Sequence, residues 1–202
     1  MKKAVDTSII VREPAPILRE KAAEVPVQDM TGHTIRSLIR AMKAALAATP
    51  DGVGLAAPQI GVSRAVFIVS EEAEEIDRAQ KAGWKRGDKR HPDGDIADRP
   101  YEKRPWKYYV FINPAAANTS RKSADGPEGC LSVPERYGTV ARREKITVRA
   151  YNERGEKFTR HCSRFFARVV QHELDHLIGA LFVDKAKDLM EIPGKEYTKE
   201  TQ

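Results

Sequence analysis

Long apolar runs are missing from this chain: nowhere in its 202 residues does a stretch approach the roughly 20 apolar positions that a membrane-spanning helix requires. The opening segment, MKKAVDTSIIVREPAP, has neither the apolar run nor the small-residue cleavage site of a secretory signal, so a cytoplasmic protein is expected. Cysteine is scarce as well. Two residues, Cys130 and Cys162, are too few for a disulfide framework, which suits a reducing compartment and leaves each thiol free for other work. Aromatic residues make up only 7% of the chain, and no aromatic-interleaved nucleic-acid motif accompanies the positive charge. Charge itself is plentiful, at 32% beside 41% hydrophobic positions, which excludes disorder throughout and supports one compact domain. The net charge of +6 is uneven, because residues 121–168 hold 12 Lys/Arg against 6 Asp/Glu while the rest nearly cancels. That surface could meet a ribosome transiently, although a solvated strand face is the simpler reading; no specific DNA and no membrane partner is expected.

Residues 34–48 place Ile35, Leu38, Ile39, Met42, Ala45 and Leu46 on one helical face. Pro50, Gly52, Gly54, Pro58 and Gly61 then interrupt any regular element, so 52–61 reads as a shaped loop. Strands are expected at 65–70, 107–112 and 145–151, the last entering a hairpin with 156–162. Segment 71–105 carries 19 charged residues out of 35 and reads as a surface insertion, helical at 71–82 and loose after that. A final helix runs from Ser163, a candidate N-cap, to Ile178, with Gly179 placed to end it. Residues 1–184 form the expected single domain and 185–202 a polar C-terminal tail.

Histidine is also rare, five residues in all, yet two of them stand four apart in His172-Glu173-Leu174-Asp175-His176. At about 100° per residue, Phe165, Val169, His172 and His176 fall on one helical stripe. Imidazoles at i and i+4 can grip one metal ion while the intervening Glu173 serves as a base. Three protein ligands leave a fourth position for water, and the candidates for the third are His33, His91, His161, carboxylates such as Glu191, and the two thiols. Cys130 is favoured by its setting in Asp125–Pro134, where Gly129 permits close approach and Pro134 opposes a central strand, giving a ligand-bearing loop. Cys162 reads as a core thiol. Phe165 and Val169 can wall an apolar slot beside the metal.

Three segments, Gly52-Val53-Gly54-Leu55-Ala56-Ala57-Pro58-Gln59, Glu128-Gly129-Cys130-Leu131-Ser132 and His172-Glu173-Leu174-Asp175-His176, together resemble the peptide deformylase family, whose marks are G-x-G-x-A-A-x-Q, E-G-C-x-S and H-E-x-D-H in that order. The resemblance extends from about Ile9 through the 34–48 helix and from Tyr108 to Asp184. It implies removal of the formyl group from N-formylmethionyl nascent peptides, with release of formate. It also implies Cys130, His172 and His176 as ligands of one divalent metal, Fe²⁺ in the cell with Zn²⁺ or Ni²⁺ as alternatives. By the same likeness Glu173 is the general acid/base, Gln59 and the Leu131 N–H stabilise the oxyanion, and Gly54 hydrogen-bonds the substrate. An ion pair of Glu128 with Arg142 is expected beside Cys130. Where the family often has a glycine before the metal helix, this chain has Arg164.

Two other readings share part of the pattern. A generic metalloprotease would need the helix motif but neither Cys130 nor the Gln59 loop. A basic ribosome- or RNA-binding module with a structural metal would need a fourth protein ligand, which the motifs do not offer. The expected fold is α+β, a single domain of small antiparallel sheets around the buried 163–178 helix, with the 34–48 helix against an outer face.

Overall fold

The computed structural model describes residues 10–49, 52–81 and 106–191. In chain order its elements are α1 (His33–Ala48), β1 (Gly54–Ala56), β2 (Val66–Ser70), α2 (Glu72–Lys81), β3 (Tyr108–Thr119), β4 (Ser123–Cys130), β5 (Val133–Arg143), β6 (Lys145–Tyr151), β7 (Lys157–Ser163), α3 (Arg164–His176) and β8 (Lys187–Glu191). The strands form two antiparallel sheets, one ordered β1-β2-β3-β6-β7 and the other β4-β5-β8. This is the expected α+β architecture.

The larger sheet separates two apolar layers. On one face α1 lays Ile35, Leu38, Ile39, Met42, Ala45 and Leu46, the stripe anticipated from spacing, against Leu55, Val66, Ile68, Val110 and Ile112. On the other, Phe67, Val69, Phe111, Ile146 and Val148 pack against Phe166, Ala167 and Val170 of α3. With both faces covered, every residue of β2 is buried, which is why its sequence is a continuous apolar run rather than an alternation. The third helix is therefore enclosed by protein, between the two sheets. Of its Phe165–Val169–His172–His176 stripe, Val169 and His176 are buried, Val169 within the apolar layer against the larger sheet, while Phe165 and His172 stay only half-buried.

Several elements differ from expectation. The 52–61 loop contains a three-residue strand, β1, which pairs Leu55 with Ile68, and a 3₁₀ turn at Ala57–Ile60. The ligand-bearing loop is a strand, β4, that pairs with β5 across a tight turn at Leu131-Ser132, with a register shift between Gly129 and Cys130. Pro127 is tolerated because β4 lies at the sheet edge. The strand expected at 107–112 continues to Thr119 through two register shifts. Part of the polar tail, Lys187–Glu191, joins β5 as β8; its residues are all exposed, so main-chain pairing and not burial places it there. The expected helix of the insertion is found as α2, whose Ala73 is fully buried against the α3 layer. Residues 82–105 and 192–202, and with them His91, lie outside the described residues.

Candidate metal centre and cleft

Strand β4 and helix α3 meet at the cluster. Cys130 ends β4, and His172 and His176 project from α3, so that one ligand atom from each residue lies within 4.8 Å of the other two. Cys130 Sγ is 3.3 Å from His176 Nε2. His172 Nδ1 is 3.0 Å from Glu128 Oε2, which directs that N–H to the carboxylate and leaves Nε2 for the cluster. A carboxylate behind a ligating imidazole fixes ring orientation and raises basicity.

The donor set suits a divalent cation. Burial lowers the His176 pKa and keeps its ring neutral, the form that ligates. At His172 burial also works against charge, but the Cys130 sulfur and the Glu128 carboxylate outweigh it and favour positive charge there. The site is thus electrostatically prepared for a cation. Thiolate and imidazole are ligands for Fe²⁺, Ni²⁺ or Zn²⁺. Among the described residues, no hydrogen bond reaches Glu173 Oε2 or His176 Nδ1, although both atoms are buried.

Glu173 is 3% exposed, and burial lifts its carboxyl to about 7. Gly54 of β1 makes room for it: a Cβ at that position would overlap Glu173 Oε1 and press on Val169. The Gln59 side chain, 2% exposed, accepts from the Ala56 N–H at 2.8 Å and donates to Ser132 Oγ at 3.2 Å and towards Cys130 Sγ at 3.5 Å. Its amide therefore sits at the sulfur. Both neighbouring carbonyls are tied down by the N-terminal segment, Val11 N–H donating to Gln59 O and Glu13 N–H to Ser132 O. These groups border a cleft of about 420 Å³, which Gly54, Leu131, Phe165, Val169, His172 and Glu173 help to line.

Behind the ligands lies a buried ionic network. Arg142 grips both oxygens of Glu128 at 2.8 Å, the pairing anticipated from sequence, and also reaches Asp175 at 2.6 Å. Arg168 adds a second guanidinium to Glu128 at 2.9 Å and donates to the Ala124, Gly126 and Val140 carbonyls. Lys185 closes the far side on Asp175 at 2.6 Å. Burial alone would raise the Glu128 pKa, but hydrogen bonds from Arg142 and His172 overcome it and hold the carboxyl down to about 2. Sequence reasoning did not single out Asp175, Arg168, Lys185 or Ser132. Asp175 sits inside the helix motif and could have been found there, since it lies three residues from His172 and cannot be buried unpaired.

The remaining candidate ligands stand apart. His33 opens α1, His161 meets Thr147 at 2.9 Å on the exposed β6–β7 face, and Glu191 pairs with Arg136 at 3.4 Å. Cys162 is buried in the core, its thiol pushed up to about 11 by burial. Among the described residues no helix is long and apolar enough to cross a membrane.

A family model described as polypeptide deformylase matches residues 7–191. The chain is 36% identical over 184 residues to peptide deformylase 1A, chloroplastic/mitochondrial, of Arabidopsis thaliana, covering 91% of this chain and 63% of the plant protein. It thus spans less than two thirds of that relative. A peptide deformylase of Pseudothermotoga lettingae is 40% identical over 169 residues, covering 84% of this chain and 77% of the relative. The crystal structure of a class I type b peptide deformylase from Acinetobacter baumannii, bound to Met-Ala-Ser, superimposes with a TM-score of 0.67 at 32% identity, covering 87% of this chain and 96% of that one.

Proposed function

The chain belongs to the peptide deformylase family, whose members remove the formyl group from N-formylmethionyl peptides, and we propose how its cleft divides that labour. Cys130, His172 and His176 would hold one divalent metal. Bound there, the ion would supply Lewis acidity towards the formyl carbonyl and towards water. Fe²⁺ is the expected occupant in the cell, with Zn²⁺ or Ni²⁺ able to replace it, a choice supported by the mixed thiolate and imidazole set.

Glu173 takes the proton of the attacking water and returns it to the departing α-amine. Its carboxyl, lifted to about 7, is poised for transfer in both directions near neutrality. The Gln59 amide and the Leu131 N–H donate to the formyl oxygen as charge builds on it, and neither donor carries a charge that would bind the ground state too tightly. The Gly54 backbone aligns the peptide along β1, and Phe165 and Val169 wall the slot for the methionine side chain. Formate and a free amine result.

The convergence of Cys130, His172 and His176 within 4.8 Å, with Glu173 alongside, carries this reading. Anaerobically prepared protein should contain one equivalent of metal and release formate from formyl-Met-Ala-Ser. Cleavage of an unformylated peptide at an internal bond would instead identify a general metalloprotease. A cytoplasmic site of action is supported by the two free thiols, and a transient ribosome contact by the basic 121–168 segment.

A further inference from the structure

The N-terminal turn of α3 is capped from elsewhere in the chain. Ser163 occupies the cap position but its side chain makes no capping hydrogen bond. Asp77 of α2 takes that role: Oδ1 accepts from the Phe165 N–H at 2.8 Å and Oδ2 from the Phe166 N–H at 3.1 Å. One turn earlier in α2, Glu74 accepts from Arg160 and from the Tyr109 hydroxyl, the latter at 2.8 Å. The Arg160 guanidinium lies over the Tyr109 ring at 3.8 Å and the Phe166 ring at 4.4 Å. Asp77 therefore fastens α2 to the start of the helix that bears the ligands, while Glu74 on the same face of α2 fastens it to Arg160 of β7 and Tyr109 of β3.

The two capped amides belong to aromatic residues with different surroundings. Phe166 enters the core, whereas Phe165 borders the cleft one turn before Val169. We infer that Asp77 is a positioning residue for specificity, which fixes the first turn of α3 and so sets the Phe165 wall of the methionine slot. This rests on the reading of Phe165 and Val169 as that slot. The first amides of a helix have no partner within it, and an uncapped turn frays. A wall mounted on a fraying turn would fit the substrate side chain loosely. His172 and His176 sit two and three turns further on, inside the hydrogen-bonded body of the helix, so the loss should fall on substrate fit and spare the metal.

Steady-state kinetics of Asp77→Ala on formyl-Met-Ala-Ser and formyl-Ala-Ala-Ser test this, with metal content and thermal unfolding measured alongside. The expected result is a raised KM for the methionyl peptide and a roughly tenfold fall in the preference for it, with kcat and metal content kept. Asp77→Asn keeps one acceptor oxygen but turns an NH₂ towards the other amide; it should lose part of the preference, and it carries the test if the alanine variant does not fold. Lowered thermal stability with an unchanged preference in either folded variant overturns the inference, since Asp77 would then be a structural cap only. Phe165→Ala, run in parallel, separates the two layers of argument. If that variant loses the preference while the Asp77 variants keep it, the slot stands and the Asp77 inference fails; if it keeps the preference, the slot reading itself fails.

Discussion

Glu173 and Arg164 both sit in unfavourable states, the first through its buried side chain and the second through its backbone. Glu173 is buried without a cation on its second oxygen, and a carboxyl held near 7 is useful only if it moves protons. Glu173→Gln should keep the fold and the metal yet lower kcat by about 10²–10⁴, as measured by formate release at saturating substrate. Near-normal turnover would assign the proton transfer to another group. Arg164 adopts φ +55° at the strand-to-helix junction, a region costly for any residue with a Cβ. Arg164→Gly relieves that cost but frees the unfolded chain, so the net gain should be about 0.5 kcal/mol, a rise of about 1–2 °C in a thermal melt. A fall would mean that the Arg164 charge beside Asp77 matters more than the backbone.

At the scale of elements, the Glu128–Arg142–Asp175 network ties β4, β5 and α3 together behind the ligands. Arg142 is 6% exposed, and truncating it strands two carboxylates, although Arg168 and Lys185 remain to shield them. Arg142→Ala should therefore cost about 3 kcal/mol, a drop of about 6–12 °C in Tm, together with weaker metal retention after dialysis. An unchanged melt would show that the two remaining cations suffice. The Glu128–Arg142 pair was legible in the sequence because the two residues are close enough along the chain for the segment between them to fold back, and because the family likeness suggests the pairing; in the ladder Glu128 stands opposite Gly138 and Arg142 opposite Ala124, so the long Arg142 side chain reaches along the sheet to the carboxylate. The helix motif was legible for a similar reason, since i, i+4 spacing fixes which side chains share a face. Asp77 was not, because the amides it caps lie 88 and 89 residues away and no local pattern marks them. Nor was β8, whose exposed side chains carry no alternation, and β1 hid behind its glycines.

The molecule as a whole is organised so that one helix is held by everything else. The larger sheet, the smaller sheet and α2 each contribute residues that contact α3 or its ligands, so ligand binding and global folding are linked. Removing the metal with a chelator should lower Tm by about 5–10 °C at metal levels around 100 times the dissociation constant, corresponding to about 2.7 kcal/mol, with recovery on adding metal back. A melt indifferent to chelation would mean that the protein frame alone sets the stability.

Gly179 ends α3 with φ +75°, and a Cβ there would overlap the Arg19 carbonyl, so the chain leaves the helix in close contact with the N-terminal segment. Cys162 lies in the core shared by the larger sheet and α3, 4% exposed and with its thiol pushed up to about 11 by burial, whereas Cys130 opens on the cleft. The two sulfurs are therefore different reporters. Brief treatment with iodoacetamide at neutral pH should leave the metal-loaded protein unlabelled, add one group at Cys130 after chelation, and add two only when the chain unfolds, all read by intact mass. Labelling of Cys162 in the folded protein would contradict this. The adduct tally of each molecule then distinguishes filled, emptied and denatured forms within a single mixed sample, without any substrate.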